Sequence, residues 1–158
     1  MNGVVIPGGI LTCRMARRNL ESTVKFHLRA LASKLQKTIP MIAIVDDDDA
    51  VRRAIKRLVQ SRGYSASTFA SADKFLKSEQ VSNTTCVITD LHMPGLSGLD
   101  LQDRLAAGGH RIPIIFITAY PEQHVKTRAV KAGALAFLSK PLNHDQLLGY
   151  LEKALKTA

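Results

Sequence analysis

Four short apolar runs in this 158-residue chain end in side chains that could do chemistry. Ile42-Ala43-Ile44-Val45 runs into Asp46-Asp47, Cys86-Val87-Ile88-Thr89 into Asp90, Ile114-Ile115-Phe116-Ile117 into Thr118, and Phe137-Leu138-Ser139 into Lys140. Three carboxylates, a hydroxyl and an ammonium suit a site that holds a hard cation next to an anionic group. Neighbouring carboxylates repel unless a cation lies between them, so Asp46 and Asp47, directly after a buried run, point to a divalent ion with oxygen ligands. Each residue also has a plain structural reading. Asp48 or Asp49 caps a helix, Asp90 starts a turn before Pro94-Gly95, Thr118 is an ordinary strand residue, and Lys140 before Pro141 is a solvated loop lysine. Taken singly, Thr118 and Lys140 favour that plain reading and the acids stand level between the two. Taken jointly, it would have to treat a common location as coincidence.

The hydrophobic pattern supplies that common location. From Met41 onward, short β-branched runs alternate with stretches of helical spacing, a βα unit repeated five times. Strands are expected over 41–45, 64–69, 85–89, 114–117 and 134–139, and all but the second are nearly continuous apolar runs, as fully buried parallel strands are. The first helix, 50–62, places Val51, Ile55, Leu58 and Val59 on one face and ends at Gly63. Ser71 caps the second, Ser97 or Gly98 opens the third and Gly108-Gly109 closes it. Pro121 opens the fourth, which ends at Gly133, and the last follows Asn143 nearly to the end of the chain. Such a pattern is an α/β fold with a parallel sheet, helices on both faces and right-handed crossovers. All strands of a parallel sheet end on one edge, so Asp46, Asp47, Asp90, Thr118 and Lys140 should converge there.

Composition narrows the classes further. With 46% hydrophobic and 22% charged residues the chain is neither disordered nor low in complexity. No apolar run approaches the roughly 20 residues of a membrane-spanning helix. Cys13 and Cys86 lie far apart in sequence, which predicts reduced thiols and a cytoplasmic location. Charge is uneven: residues 1–40 hold seven basic side chains and one acid, +6 of the chain's +9. The domain boundary is therefore placed at Ile39-Pro40-Met41, with a basic extension over 1–40 and the folded domain over 41–158.

Four stretches resemble the successive motifs of bacterial two-component response-regulator receiver domains. They are Ile-Val-Asp-Asp-Asp, Thr-Asp-Leu-His-Met-Pro-Gly-Leu-Ser-Gly, Ile-Ile-Phe-Ile-Thr-Ala and Lys-Ala-Gly-Ala-Leu-Ala-Phe-Leu-Ser-Lys-Pro, in that order. The likeness covers 41–158 and is greatest to receivers of the nitrogen-fixation regulator (FixJ) type. It implies a flavodoxin-like, CheY-like sheet of five parallel strands in the order 2-1-3-4-5. It further implies that Asp90 is the phosphoacceptor, that Mg²⁺ is bound by Asp47, Asp90 and the backbone carbonyl of His92, and that Asp46 assists through water. By the same resemblance Thr118 is the switch hydroxyl, Lys140 pairs with the phosphate through a cis peptide to Pro141, and Phe137 is the rotating aromatic. Many receivers carry tyrosine at that last position; phenylalanine lacks the hydroxyl, and its plain alternative is core packing.

The implied partners are a sensor histidine kinase or phosphotransfer protein, a downstream effector protein, and a phosphorylation-dependent second copy meeting the fourth helix, fifth strand and fifth helix. Nucleic acid is not expected to bind the receiver itself. The chain stops soon after the fifth helix, which predicts a standalone receiver that docks on an effector or stores phosphate. Two other readings are weighed. Leu20, Val24, Leu28, Leu31 and Leu35 recur at helical steps, so 19–37 could form an amphipathic basic helix for contact with nucleic acid such as DNA, a membrane surface or another copy. The plainer account is upstream sequence ahead of a start at Met41. An aspartyl-phosphate phosphatase of the haloacid dehalogenase type would need a second carboxylate two residues after its nucleophile, where this chain has His92. Turnover of outside esters is therefore not expected, only slow loss of the chain's own acyl phosphate. His27, His110, His124 and His144 show no ligand spacing and are read as surface residues, and Cys86 as a small core residue.

Overall fold

The structure, a computed structural model, describes residues 39–157 and, before them, helical Val24, Lys25, His27 and Leu28. Most of the basic helix expected over 19–37, and Cys13, lie outside the described residues. The chain divides into two units, 1–38 and 39–158. The second runs β1 (Met41–Val45), α1 (Asp49–Ser61), β2 (Ser65–Phe69), α2 (Ala72–Leu76), a 3₁₀ turn (Glu79–Asn83), β3 (Cys86–Asp90), α3 (Gly98–Ala107), β4 (Ile114–Thr118), α4 (Gln123–Lys131), β5 (Ala136–Ser139) and α5 (His144–Thr157). The five strands form one parallel sheet in the order β2-β1-β3-β4-β5. No described helix is long and apolar enough to cross a membrane.

Strand residues alternate between two cores. Ile42, Ile44, Ile88, Ile115 and Ile117 pack with Ile55 and Val59 of α1 and Leu147 and Leu151 of α5. On the other face Ala43, Val45, Val87 and Phe116 meet Phe75 of α2, Leu101 and Leu105 of α3 and Ala129 of α4. A buried Ile or Leu contributes roughly 1.5–3 kcal/mol, so two such layers hold the strand ends firmly enough to keep charged groups close together. Register completes the placement. Val45 pairs with Thr89, Asp90 with Ile117 and Thr118 with Ser139. The next bonds along, Leu91 N–H to Ile117 O and Lys140 N–H to Thr118 O, carry the ladder into the loops that hold the site.

Local signals explain most boundaries. Asp48, rather than Asp49, caps α1, accepting from the amides of Ala50 and Val51. Asp49 instead pairs with Arg52 and Arg53. Ser71 accepts from Lys74 N–H, and Ser97 forms a capping box with Asp100 at the start of α3. The Ser97 hydroxyl and, next, the Ser97 N–H both donate to Asp100 Oδ2 and hold that carboxyl below its ordinary value.

Two expectations need correction, and one element is additional. Pro121 does not open α4, which starts at Gln123 after Glu122. The reason is that Thr118 Oγ1 donates to Tyr120 O and accepts from Tyr120 N–H, tying the backbone into a turn before a helix can begin. Strand β5 starts at Ala136, not Ala134, because Ala134 N–H still closes the end of α4 on Ala129 O. The 3₁₀ turn at Glu79–Asn83 has no periodic signature and was not expected. His110 is also only partly exposed, in contrast to His124 and His144. Burial raises the Cys86 thiol to about 12, so it is an inert core group at neutral pH.

Candidate functional site

At the carboxyl edge of the sheet Asp46 and Asp90 are buried and Asp47 is exposed, and each offers a carboxylate oxygen within 4.8 Å of the others. Lys140 reaches in from the end of β5. Its Nζ donates to Asp90 Oδ2 at 2.6 Å and to Asp46 Oδ2 at 3.2 Å. The remaining oxygens are also engaged: Asp46 Oδ1 accepts Asp48 N–H at 2.8 Å, and Asp90 Oδ1 accepts His92 N–H at 3.0 Å. The Lys140-Pro141 peptide is cis.

The electrostatics follow from this crowding. Burial pushes the Asp46 carboxyl above its ordinary value, against the lowering pull of the Asp48 amide and Lys140; the Asp90 charge adds to the rise. Burial alone would lower Lys140, but its bond to Asp90 and the Asp46 charge outweigh that and raise it. Three carboxylates against one ammonium leave the site short of positive charge, and its donors are hard oxygens. Those residues fit a divalent cation of the magnesium type, which takes one or two carboxylates and keeps room for water and phosphate oxygens.

Thr118 is fully buried at the end of β4, its hydroxyl held by both backbone groups of Tyr120 and lying 3.3 Å from His92 Nδ1. Phe137, partly buried, packs against Phe116 with ring centres 6.1 Å apart. The structure thus brings Asp46, Asp47, Asp90 and Lys140 into one cluster. It places Thr118 beside His92 and sets Phe137 on the same face as Phe116.

Two contributors escaped the sequence reading. Arg52 donates to the backbone carbonyl of Asp46 at 2.6 Å, fixing the loop that carries the first two acids. Its only signal was a position one and a half turns past Asp46. Gly98 is buried against β3, where a Cβ would stand 2.5 Å from Asp90 O and 3.0 Å from the Phe116 ring. Its amide also bonds to Leu91 O, so the helix cannot slide away cheaply. Gly98→Ala is therefore expected to cost about 3 kcal/mol, the upper end of ordinary overpacking, and to displace Asp90. Urea unfolding should show the loss, and a stability within about 0.5 kcal/mol of the parent would contradict this packing.

A parallel five-stranded sheet with this acidic edge defines a class, and the chain belongs to it: residues 42–152 match the response regulator receiver domain. It is a receiver of the two-component type with a CheY-like fold, a family that works between kinases and effectors. The chain is 44% identical over 118 residues to the response regulator protein TodT of Pseudomonas putida, covering 75% of this chain and 52% of that one. With the transcriptional regulatory protein FixJ of Bradyrhizobium diazoefficiens it shares 34% over 117 residues, 74% and 57% of the two chains. Among solved structures, response regulator StyR matches with a TM-score of 0.71 at 39% identity, over 76% of this chain and 61% of that one. FixJ-N matches at 0.68 and 30%, over 75% and 95%. The chain spans about half the length of the curated relatives it matches.

Proposed function

We propose that Asp90 accepts a phosphoryl group from a sensor histidine kinase or phosphotransfer protein, and that the acyl phosphate switches a docking face. The observation that carries this reading is the 2.6 Å contact between Lys140 and Asp90 inside a cluster of three carboxylates. A carboxylate is a weak nucleophile, but phosphoryl transfer asks mainly for alignment and charge neutralisation. One Asp90 oxygen bonds to phosphorus as the bond from phosphorus to the donor breaks, and the electron pair leaves with the donor. Lys140, already on Asp90, offsets charge on the arriving group. Asp47, Asp90 and the His92 carbonyl, with Asp46 assisting, would hold Mg²⁺, which when bound would offset charge on the phosphoryl group. The reaction is stoichiometric: Asp90 is consumed once and restored when water hydrolyses the acyl phosphate.

The Thr118 hydroxyl reads the result. Donation to a phosphate oxygen requires it to leave Tyr120 O, and the space vacated lets Phe137 turn inward. This biases the face of α4, β5 and α5 toward an effector or a second copy; exposed Val130 on α4 and nearby Tyr120 suit such contacts. Moving a 1:99 population to 99:1 takes about 5.5 kcal/mol, within reach of a few charge-assisted hydrogen bonds.

Incubation with acetyl phosphate and Mg²⁺ tests this. One acid-stable, base-labile phosphoryl group per chain is expected, on the peptide holding Asp90 and lost when a chelator is present. Absence of label under both acetyl phosphate and a histidine kinase would remove the proposal. Label that persists in chelator would remove its metal component.

A further inference from the structure

The three acids of the cluster are held in different ways. Asp46 and Asp90 are fixed through their side chains, each carboxylate accepting a backbone N–H on one oxygen and the Lys140 ammonium on the other. Asp47 is exposed, and among the described residues no hydrogen bond or ion pair holds its carboxylate. Its place is therefore set by its backbone, and first by the peptide that joins it to Asp46. On one side of that peptide, Asp46 N–H donates to Phe69 O at 3.2 Å and continues the sheet. The carbonyl of the peptide, Asp46 O, lies past the last strand residue and accepts Arg52 Nη1–H at 2.6 Å. Arg52 is itself aimed: its Nη2–H donates to Asp49 Oδ1 at 3.0 Å, its side chain is only 13% exposed, and its backbone N–H donates to Asp48 O in the first turn of α1. The planar guanidinium thus spans both acceptors as a rigid fork.

We infer that Arg52 is a positioning residue for the cation site: by gripping Asp46 O with its fork it fixes the Asp46–Asp47 peptide plane, and so aims the Asp47 carboxylate at the place where Asp46 and Asp90 converge. The inference rests on the phosphoacceptor reading of that site. Without the guanidinium, a carbonyl on a fully buried residue loses its donor, a costly state that rotation of the peptide toward water relieves. Such a rotation displaces Asp47 but leaves the Asp46 carboxylate on Asp48 N–H and Lys140. The charge of Arg52 works in the opposite sense. It repels a cation, and Asp49, which also pairs with Arg53, offsets it. Removing Arg52 therefore weakens cation binding if its role is to position, and strengthens it if its charge is all that matters.

Mg²⁺ alone, titrated into the parent, Arg52→Met and Arg52→Lys with backbone amide signals followed by NMR, tests this. The Asp47 N–H shares a peptide with Asp46 O, so its position in the metal-free proteins reports whether that carbonyl still accepts a charged donor. Methionine is expected to weaken Mg²⁺ binding about tenfold, the lower end of what groups supporting a metal ligand contribute, and to move the metal-free Asp47 amide signal. Lysine keeps the charge but lacks the fork, so it should fall between methionine and the parent in both measurements. Equal or tighter Mg²⁺ binding in the methionine protein would overturn the inference, even with a lowered urea midpoint, since Arg52 would then serve only the stability of α1. Weaker binding with an unmoved Asp47 amide would also overturn it, because the effect would not pass through the peptide. Should the methionine protein fail to fold, the lysine protein decides, and binding equal to the parent's overturns the role of the fork. Failure of the parent itself to respond to Mg²⁺ would instead overturn the cation site on which the inference depends.

Discussion

Asp90→Asn is expected to yield a folded chain that takes up no phosphoryl group. Asparagine is nearly isosteric, its carbonyl oxygen can keep the His92 N–H bond, and Lys140 retains Asp46. What is lost is the anionic oxygen that must bond to phosphorus, because a neutral amide is not a competent nucleophile here. The Asp90 charge also raises the Asp46 carboxyl, so Asp46 should ionise more readily in the variant. Stability should therefore stay within about 1 kcal/mol of the parent, with like-charge relief offsetting a weaker bond to Lys140. Mass spectrometry after acetyl phosphate treatment checks the first part and urea unfolding the second. Labelling equal to the parent's would move the acceptor to another side chain, with Asp46 and Asp47 the next to examine.

Lys140→Met is expected to lower both stability and phosphoryl uptake. The ammonium is the shared partner of two acids with side chains 1% and 10% exposed, and a thioether leaves both carboxylates without their cation. Losing one side of a buried pair costs about 3–5 kcal/mol; Lys140 itself keeps 23% exposure, so about 2–3 kcal/mol is expected at neutral pH. The sign of the pH dependence follows from the shifts. In the parent, Lys140 is raised by its carboxylate partners, so its contribution is complete below the unfolded lysine value of 10.5 and disappears as pH rises through the higher folded value. In the variant, Asp46, already raised by burial, loses the lowering influence of Lys140, so its carboxyl rises further above its ordinary value. The variant's deficit should therefore be largest at neutral pH and shrink as pH falls through about 4. Urea unfolding at both pH values checks this, and a deficit that grows on acidification would contradict it. Phosphoryl uptake should slow by roughly 10²-fold, since the charge arriving on Asp90 loses its fixed counter-ion.

Much of this was visible in the chain because buried parallel strands read as short apolar runs, and each such run stops at the residue that leaves the core. Asp46, Asp90, Thr118 and Lys140 stand out for that reason, and β1 shows its full extent. The turn at Thr118–Pro121 misled because a proline is a good first helical residue only when nothing else claims the preceding backbone. Here the Thr118 hydroxyl claims both polar groups of Tyr120.

By itself, then, the sequence determined the βα alternation, the two-faced core and the identity of the polar groups at the strand ends. Local periodicity and the chemistry of the terminating residue are enough for that. Only the tertiary structure decided which of those groups touch. Lys140 meets Asp46 across 94 residues, His92 reaches Thr118, Arg52 holds the Asp46 carbonyl and Gly98 admits α3 to the end of β3. Each depends on a register between strands and a depth of packing that no single segment encodes. A hydrogen bond forms or fails over tenths of an ångström, and those distances exist only once all five strands are paired.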